Sequence, residues 1–138
     1  MEASPPQLVA VTDRALRRVP PLQVVQDPKA PGGRRASAAA FQDDRDGSPM
    51  SAYLGSIVAD LGLADAAVLH GKASGWAIAA IPVQTLLAEA QTVERDPVVD
   101  PVVPHPCDSA HVAIVGDKTP KARRDRIAKK SPLVYAST

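Results

Sequence analysis

The chain has one cysteine, four aromatic residues and no uninterrupted apolar stretch approaching the length of a membrane span. The single cysteine, Cys107, excludes an intrachain disulfide and fits a reducing compartment. The opening MEASPPQLVAVTDR has no basic region and too short an apolar run for a secretory signal, so a cytoplasmic location and no membrane partner are expected. With aromatics at 3%, neither an RNA-recognition sheet nor a single-strand stacking platform can be built. Also missing are a glycine-rich phosphate loop, a nucleophile elbow, an HExxH helix, a kinase signature and zinc-finger spacing. No cofactor is expected on these grounds.

Alanine supplies more than a third of a hydrophobic content of 45%. A core of Leu, Val, Ile and Ala with few large anchors predicts modest stability, at or below the usual ~5–15 kcal/mol. The 138 residues suit one domain, over 8–138, with residues 1–7 expected to be disordered. The patterning predicts an α+β fold with a small mixed sheet of four to six short strands.

The clearest period is Met50, Tyr53, Leu54, Ile57, Val58 and Leu61, which predicts an amphipathic helix over 49–61 covering one sheet face. Ser48 and Pro49 would start it and Gly62 would stop it. Thr12-Asp13 predicts a short helix through Arg18, halted by Pro20-Pro21. A second helical piece is expected at 64–69 and another at 83–90. Strands are expected at 22–26, 34–41, 76–81, 92–95, 110–115 and 133–135. Segments 27–33 and 43–48 read as a loop and a turn. Residues 96–109 carry four prolines and a tandem DPVV, which predicts a Pro-rich surface loop. As an extended segment it could also dock on a partner.

Charge is polarised along the chain. Residues 1–116 hold nine Lys/Arg against thirteen Asp/Glu, and residues 117–138 hold seven against two. The seven are Lys118, Lys121, Arg123, Arg124, Arg126, Lys129 and Lys130, on a helix expected from Thr119-Pro120 to Lys130. Their positions run almost all the way round that helix, and Ala122, Ile127 and Ala128 share no stripe. Such a segment is an electrostatic footprint for a polyanion, either a nucleic-acid backbone or an acidic protein, without sequence preference. The structural alternative is a solvated terminal helix.

Two smaller constellations carry chemistry. Arg34-Arg35 after a Gly-Gly turn could clamp a carboxylate or phosphate, with Ser37 donating a hydrogen bond. The structural alternative is a surface pair offsetting Asp43, Asp44 and Asp46. His105, Cys107 and His111 fall within seven residues, with Asp108 between them and His70 as a distant fourth ligand. These are weak metal candidates because the spacing fits no established site. Cys107 as a nucleophile would need His105 or His111 as its base. His111 alone, at the start of a strand after a loop, is a candidate general acid/base.

The segments GRRASAAAF (33–41), MSAYL (50–54), Asp96-Pro97 and AHVAIVG (110–116) resemble a group of small uncharacterised bacterial proteins. The resemblance covers roughly residues 16–130. It implies a bacterial cytosolic protein and a single site built on Arg35, Ser37 and His111, and it supplies no reaction. The function expected is that of a small accessory or interaction protein touching a polyanion or acidic partner through its basic C-terminal helix. The rival is a small-molecule enzyme in which Arg34, Arg35, Ser37 and His111 surround an anionic substrate.

Overall fold

A computed structural model describes residues 9–136; the expected disorder of residues 1–7 lies outside them. The fold is α+β, built on one six-stranded sheet and a two-stranded ribbon. The sheet is antiparallel at every junction rather than mixed. Its strands are β1 (Arg14–Val19), β4 (Met50–Leu54), β5 (Ala77–Pro82), β6 (Thr92–Arg95), β7 (His111–Val115) and β8 (Leu133–Ala136), in the order β6-β7-β4-β1-β5-β8. The ribbon pairs β2 (Val24–Gln26) with β3 (Arg34–Ala36). The helices are α1 (Gly55–Asp60), α2 (Val83–Ala88) and α3 (Lys121–Lys129).

Alternation along the strands separates two cores. Ala15 and Val19 of β1, Met50, Ala52 and Leu54 of β4, Ala77, Ala79 and Ile81 of β5, and Val112 and Ile114 of β7 face one cluster. That face is covered by Ala36 of the ribbon, by a 3-10 turn at Ala38–Phe41, and by Leu86, Ile127 and Ala128 of the helices. Leu16, Tyr53, Ile78 and Ala80 point the other way, onto Val58, Val68, Leu69, Cys107 and Ala110. The sheet is therefore buried on both faces.

That burial explains the main departures from the sequence reading. The predicted helix over 49–61 is a strand through Leu54 followed by a helix of only six residues. A strand with both faces buried places apolar residues at consecutive positions, and a short helix after it continues the count, so the sum imitates a 3.6-residue period. The predicted stop does hold: Gly62 sits at φ 77°, and the N–H groups of Gly62 and Leu63 close on the Ala59 and Val58 carbonyls.

The helix expected to run to Arg18 is the strand β1, paired on both sides. Asp13 does not cap a helix there. Its carboxylate accepts the Arg14 N–H at 2.8 Å and the Ser56 N–H and hydroxyl, tying the start of β1 to α1. The strand expected at 34–41 ends at Ala36 and turns into the 3-10 segment. Of the piece expected at 22–26, only Val24–Gln26 is strand. The strands at 76–81, 92–95, 110–115 and 133–135 and the helix from 83 lie close to where the sequence puts them. The 96–109 loop ends in a 3-10 turn at Asp108–Ala110. Among the described residues, no helix is long and apolar enough to cross a membrane.

Phe41, the only phenylalanine, is fully buried in the alanine-lined core. It shares one core cluster with Ala15 of β1, Ala52 of β4 and Ala77 and Ala79 of β5. Phe41→Ala is expected to cost about 3–5 kcal/mol, a large share of the stability of so small a core, and a urea unfolding midpoint measures it.

Candidate functional site

The basic helix is docked rather than solvent-facing all round. Ile127 and Ala128 are buried in the alanine-rich core, and α3 packs on the Ala38–Phe41 turn and touches β3. The arginine stems and head groups complete the docking. Arg126 forks onto Glu89, with Nε 2.9 Å from Oε2 and Nη2 2.8 Å from Oε1. Arg123 Nη1 donates to the Asp117 carbonyl at 2.8 Å, and its Nε lies 3.9 Å from Glu89. This pairing, Arg126 first, holds the Glu89 carboxyl below the usual carboxylate range. Arg124 donates to the Lys118 carbonyl, and Lys121 pairs with Asp125 one turn away.

Lys118 is buried. Its ammonium donates to Asp43 Oδ1 at 2.6 Å, the Ile114 carbonyl at 2.7 Å and the Gly116 carbonyl at 3.1 Å. Three acceptors exhaust its three donors. Sequence reasoning counted it among seven anion-binding cations; it is a structural tie between β7 and the 43–48 turn. Of the seven, Lys129 and Lys130 alone make no side-chain hydrogen bond or ion pair among the described residues.

Those two lysines meet the arginine pair. The C-terminal end of α3 and the β2–β3 ribbon enclose a cleft of about 470 Å³. Its floor is Ala30, Pro31, Ala128 and Pro132, and its walls carry Lys29, Arg34, Arg35, Lys129 and Lys130 against one carboxylate, Asp27. Arg35 Nε binds that carboxylate at 2.8 Å, while Nη1 donates to the Ala36 carbonyl. Asp27 is held below its ordinary value by the Lys29 N–H first and Arg35 second. Arg34 and Lys29 are exposed and, among the described residues, make no side-chain hydrogen bond or ion pair. The arginine pair and the last two lysines of the basic segment, far apart in the sequence, thus share one concave surface. The expected surface pairing of Arg34 and Arg35 with Asp43, Asp44 and Asp46 does not form; the acid used is Asp27.

His111 is not part of this cleft. It stands opposite Tyr53 in the β4–β7 ladder and meets that ring edge-on, on the face away from the ribbon. Its Nδ1 lies 2.8 Å from the Asp96 carbonyl and 3.4 Å from the Asp96 carboxylate. Ser37 follows β3 on the opposite face, where its N–H donates to the Gln23 carbonyl. The composite site of Arg34, Arg35, Ser37 and His111 is therefore not assembled, because the sheet lies between its halves.

His105 and Cys107 pack under the Tyr53 face. The Cys107 N–H donates to His105 Nδ1 at 3.0 Å, so His105 Nε2, 3.2 Å from the Val68 carbonyl, carries the ring proton. The ring stacks on Tyr53 and meets His70 edge-on. Burial pushes the Cys107 thiol up, and the Asp108 charge adds to this. With both nitrogens of His105 engaged by backbone, no base faces that thiol from this ring. Among the described residues, no three His, Cys, Asp or Glu side chains converge to hold a metal ion, so His105, Cys107 and His111 form no ligand set.

Comparison with protein-family models, with curated proteins and with solved structures returned no match.

Burial, above all, holds the His105 imidazole below its ordinary value. The unfolded chain then takes up a proton more readily than the folded one. Stability from this group is complete above the unfolded value of about 6.5 and is lost as pH falls through it, by at most ~1.4 kcal/mol per pH unit. The urea midpoint is expected to drop between pH 7.5 and 5.5. His105→Asn keeps an acceptor for the Cys107 N–H and is expected to flatten that drop; an equal drop in the variant would contradict the assignment.

Proposed function

We propose that this chain is a small accessory protein that grips a polyanionic chain, foremost a nucleic-acid backbone, in the cleft between the β2–β3 ribbon and the end of α3. The observation that supports the reading is the convergence of Lys29, Arg34, Lys129 and Lys130, none of them paired among the described residues, around a cleft holding one carboxylate already bound by Arg35. Arg34 offers a planar fork suited to phosphate oxygens, and the lysines add point charges. Aromatic side chains are absent from the cleft lining, so bases have nothing to stack on and recognition is of backbone charge. An acidic polypeptide is the second reading, supported by the apolar floor of alanine and proline.

The test is binding of generic duplex and single-stranded DNA as a function of salt. Four neutralised phosphates give a slope of log K against log salt of about −3.6 on duplex, a loss of roughly a hundredfold between 50 and 200 mM. A Lys129→Gln, Lys130→Gln double variant is expected to reduce the magnitude of the slope by about 2. Lys118→Met is expected to lower the melting temperature and leave the slope unchanged, since its ammonium is internal. Absence of binding at low salt, with competition by polyglutamate for a labelled acidic peptide, would move the assignment to a protein partner.

A further inference from the structure

A second cavity of about 480 Å³ opens where β1 and β4 part company. The two strands pair only at Ala15–Leu54 and Leu16–Tyr53. Beyond that point Arg17 reaches into the gap, with Nε 3.0 Å from the Ala40 carbonyl and Nη1 2.7 Å from the Ser51 carbonyl. Both hydrogen-bond partners are neutral, and the carboxylates of Asp44 and Asp43 act on it only from beyond ion-pair distance. Arg18, the next residue, points to the other face and lies over the Tyr53 ring at 5.4 Å. Lys72 lies over the Trp76 ring at 4.7 Å. Among the described residues, neither Arg18 nor Lys72 has a carboxylate at ion-pair distance.

Arg17, Arg18, Arg45 and Lys72 all line this cavity. The carboxylates on its wall are Asp43, already neutralised by Lys118, and Asp44. Burial first, and the neighbouring Arg18 charge second, depress the Lys72 ammonium below its ordinary value. Cations gathered against their own repulsion, held by carbonyls and rings instead of acids, need an anion to complete them. The cavity is large enough for a small molecule rather than a lone ion.

We propose that this cavity binds a small phosphomonoester, with the dianionic phosphate held by Arg18 and Lys72, the body of the ligand against Trp76, and Arg17 adding its charge across the gap between β1 and β4. Two rings already anchor the cations, so the phosphate meets a preorganised cradle. The site is separate from the cleft of the ribbon and α3, and shares no lining residue with it.

Trp76 is the only tryptophan, so its emission reports on this cavity alone. The full chain is titrated with adenosine 5′-monophosphate, inorganic phosphate and adenosine, following fluorescence and, in parallel, titration calorimetry, which reads binding even where the indole is silent. Saturable binding of the monophosphate and none of adenosine is expected. Binding of inorganic phosphate as tight as the monophosphate would assign the site to the free ion and remove the ligand body from the proposal. Arg18→Gln and Lys72→Gln, both away from the Arg17 ties that hold the strands, are each expected to weaken binding at least about tenfold. The same variants are expected to leave the DNA salt slope unchanged, and the Lys129, Lys130 double variant to leave the monophosphate titration unchanged. No heat and no emission change with either phosphate-bearing probe, or unchanged affinity in both single variants, overturns the proposal.

Discussion

The fold depends on burying a strand that carries three arginines in six residues at the centre of a sheet covered on both faces. An unpaired guanidinium in such a place is prohibitively costly. The three are resolved in three ways. Arg14 leaves the sheet at its start, where Nη2 meets both carboxylate oxygens of Asp65 at 3.0 Å. Arg17 takes backbone carbonyls exposed by the short β1–β4 ladder. Arg18 lies on an aromatic face. The short ladder is thus linked to the arginines: a fully paired β4 would leave Arg17 nothing to bind. The opening that results is the cavity lined by Arg17, Arg18 and Lys72.

The same reasoning recasts the basic segment. Counting charges along residues 118–130 suggests a uniform footprint, but a charge is available to a partner only if the protein has not used it. Lys118 is spent on β7 and the 43–48 turn, and Arg123 and Arg126 on Glu89. Glu89 matters here although nothing in its sequence context marks it. It follows α2, close to the turn where Ala90 adopts φ 61° and Gly116 approaches the Ala90 carbonyl so closely that a Cβ would lie 2.7 Å away. That crowded junction presents the carboxylate to α3. The helix is basic largely because it must be fastened to an acid there and to carbonyls around its N-terminus.

How far the sequence was legible follows from where each element sits. Elements with one dominant local signal were readable: the apolar run at 77–82, the helix opened by Pro82, the proline-rich crossing, and the helix set between Pro120 and Pro132. Elements decided by tertiary context were not. Met50–Leu54 has helical spacing, and only its place between β1 and β7 makes it a strand. RALRRV has no strand-like pattern, because its polar positions are paid for by partners far away in the chain. Of the candidate residues, the arginine pair and the last two lysines were visible by type. Their meeting was not, since it needs the ribbon to fold over the alanine-rich core beside α3. Lys29, Lys72 and Trp76 gave no signal at all.

A distinction between two ways of holding a cation then separates the molecule's electrostatics from its composition. A carboxylate within hydrogen-bond distance fixes a guanidinium and cancels its field, as Glu89 does for Arg126 and Asp27 for Arg35. A carbonyl or an aromatic ring fixes the group and leaves its charge standing, as for Arg17, Arg18 and Lys72. The acidic-on-average first part of the chain therefore encloses a concentrated positive field, while in the basic tail carboxylates neutralise Lys118, Lys121 and Arg126 and leave the charge of Arg124, Lys129 and Lys130 standing. Net charge by segment points to the tail; the character of the partners points to the two cavities, where cations outnumber the carboxylates that pair with them.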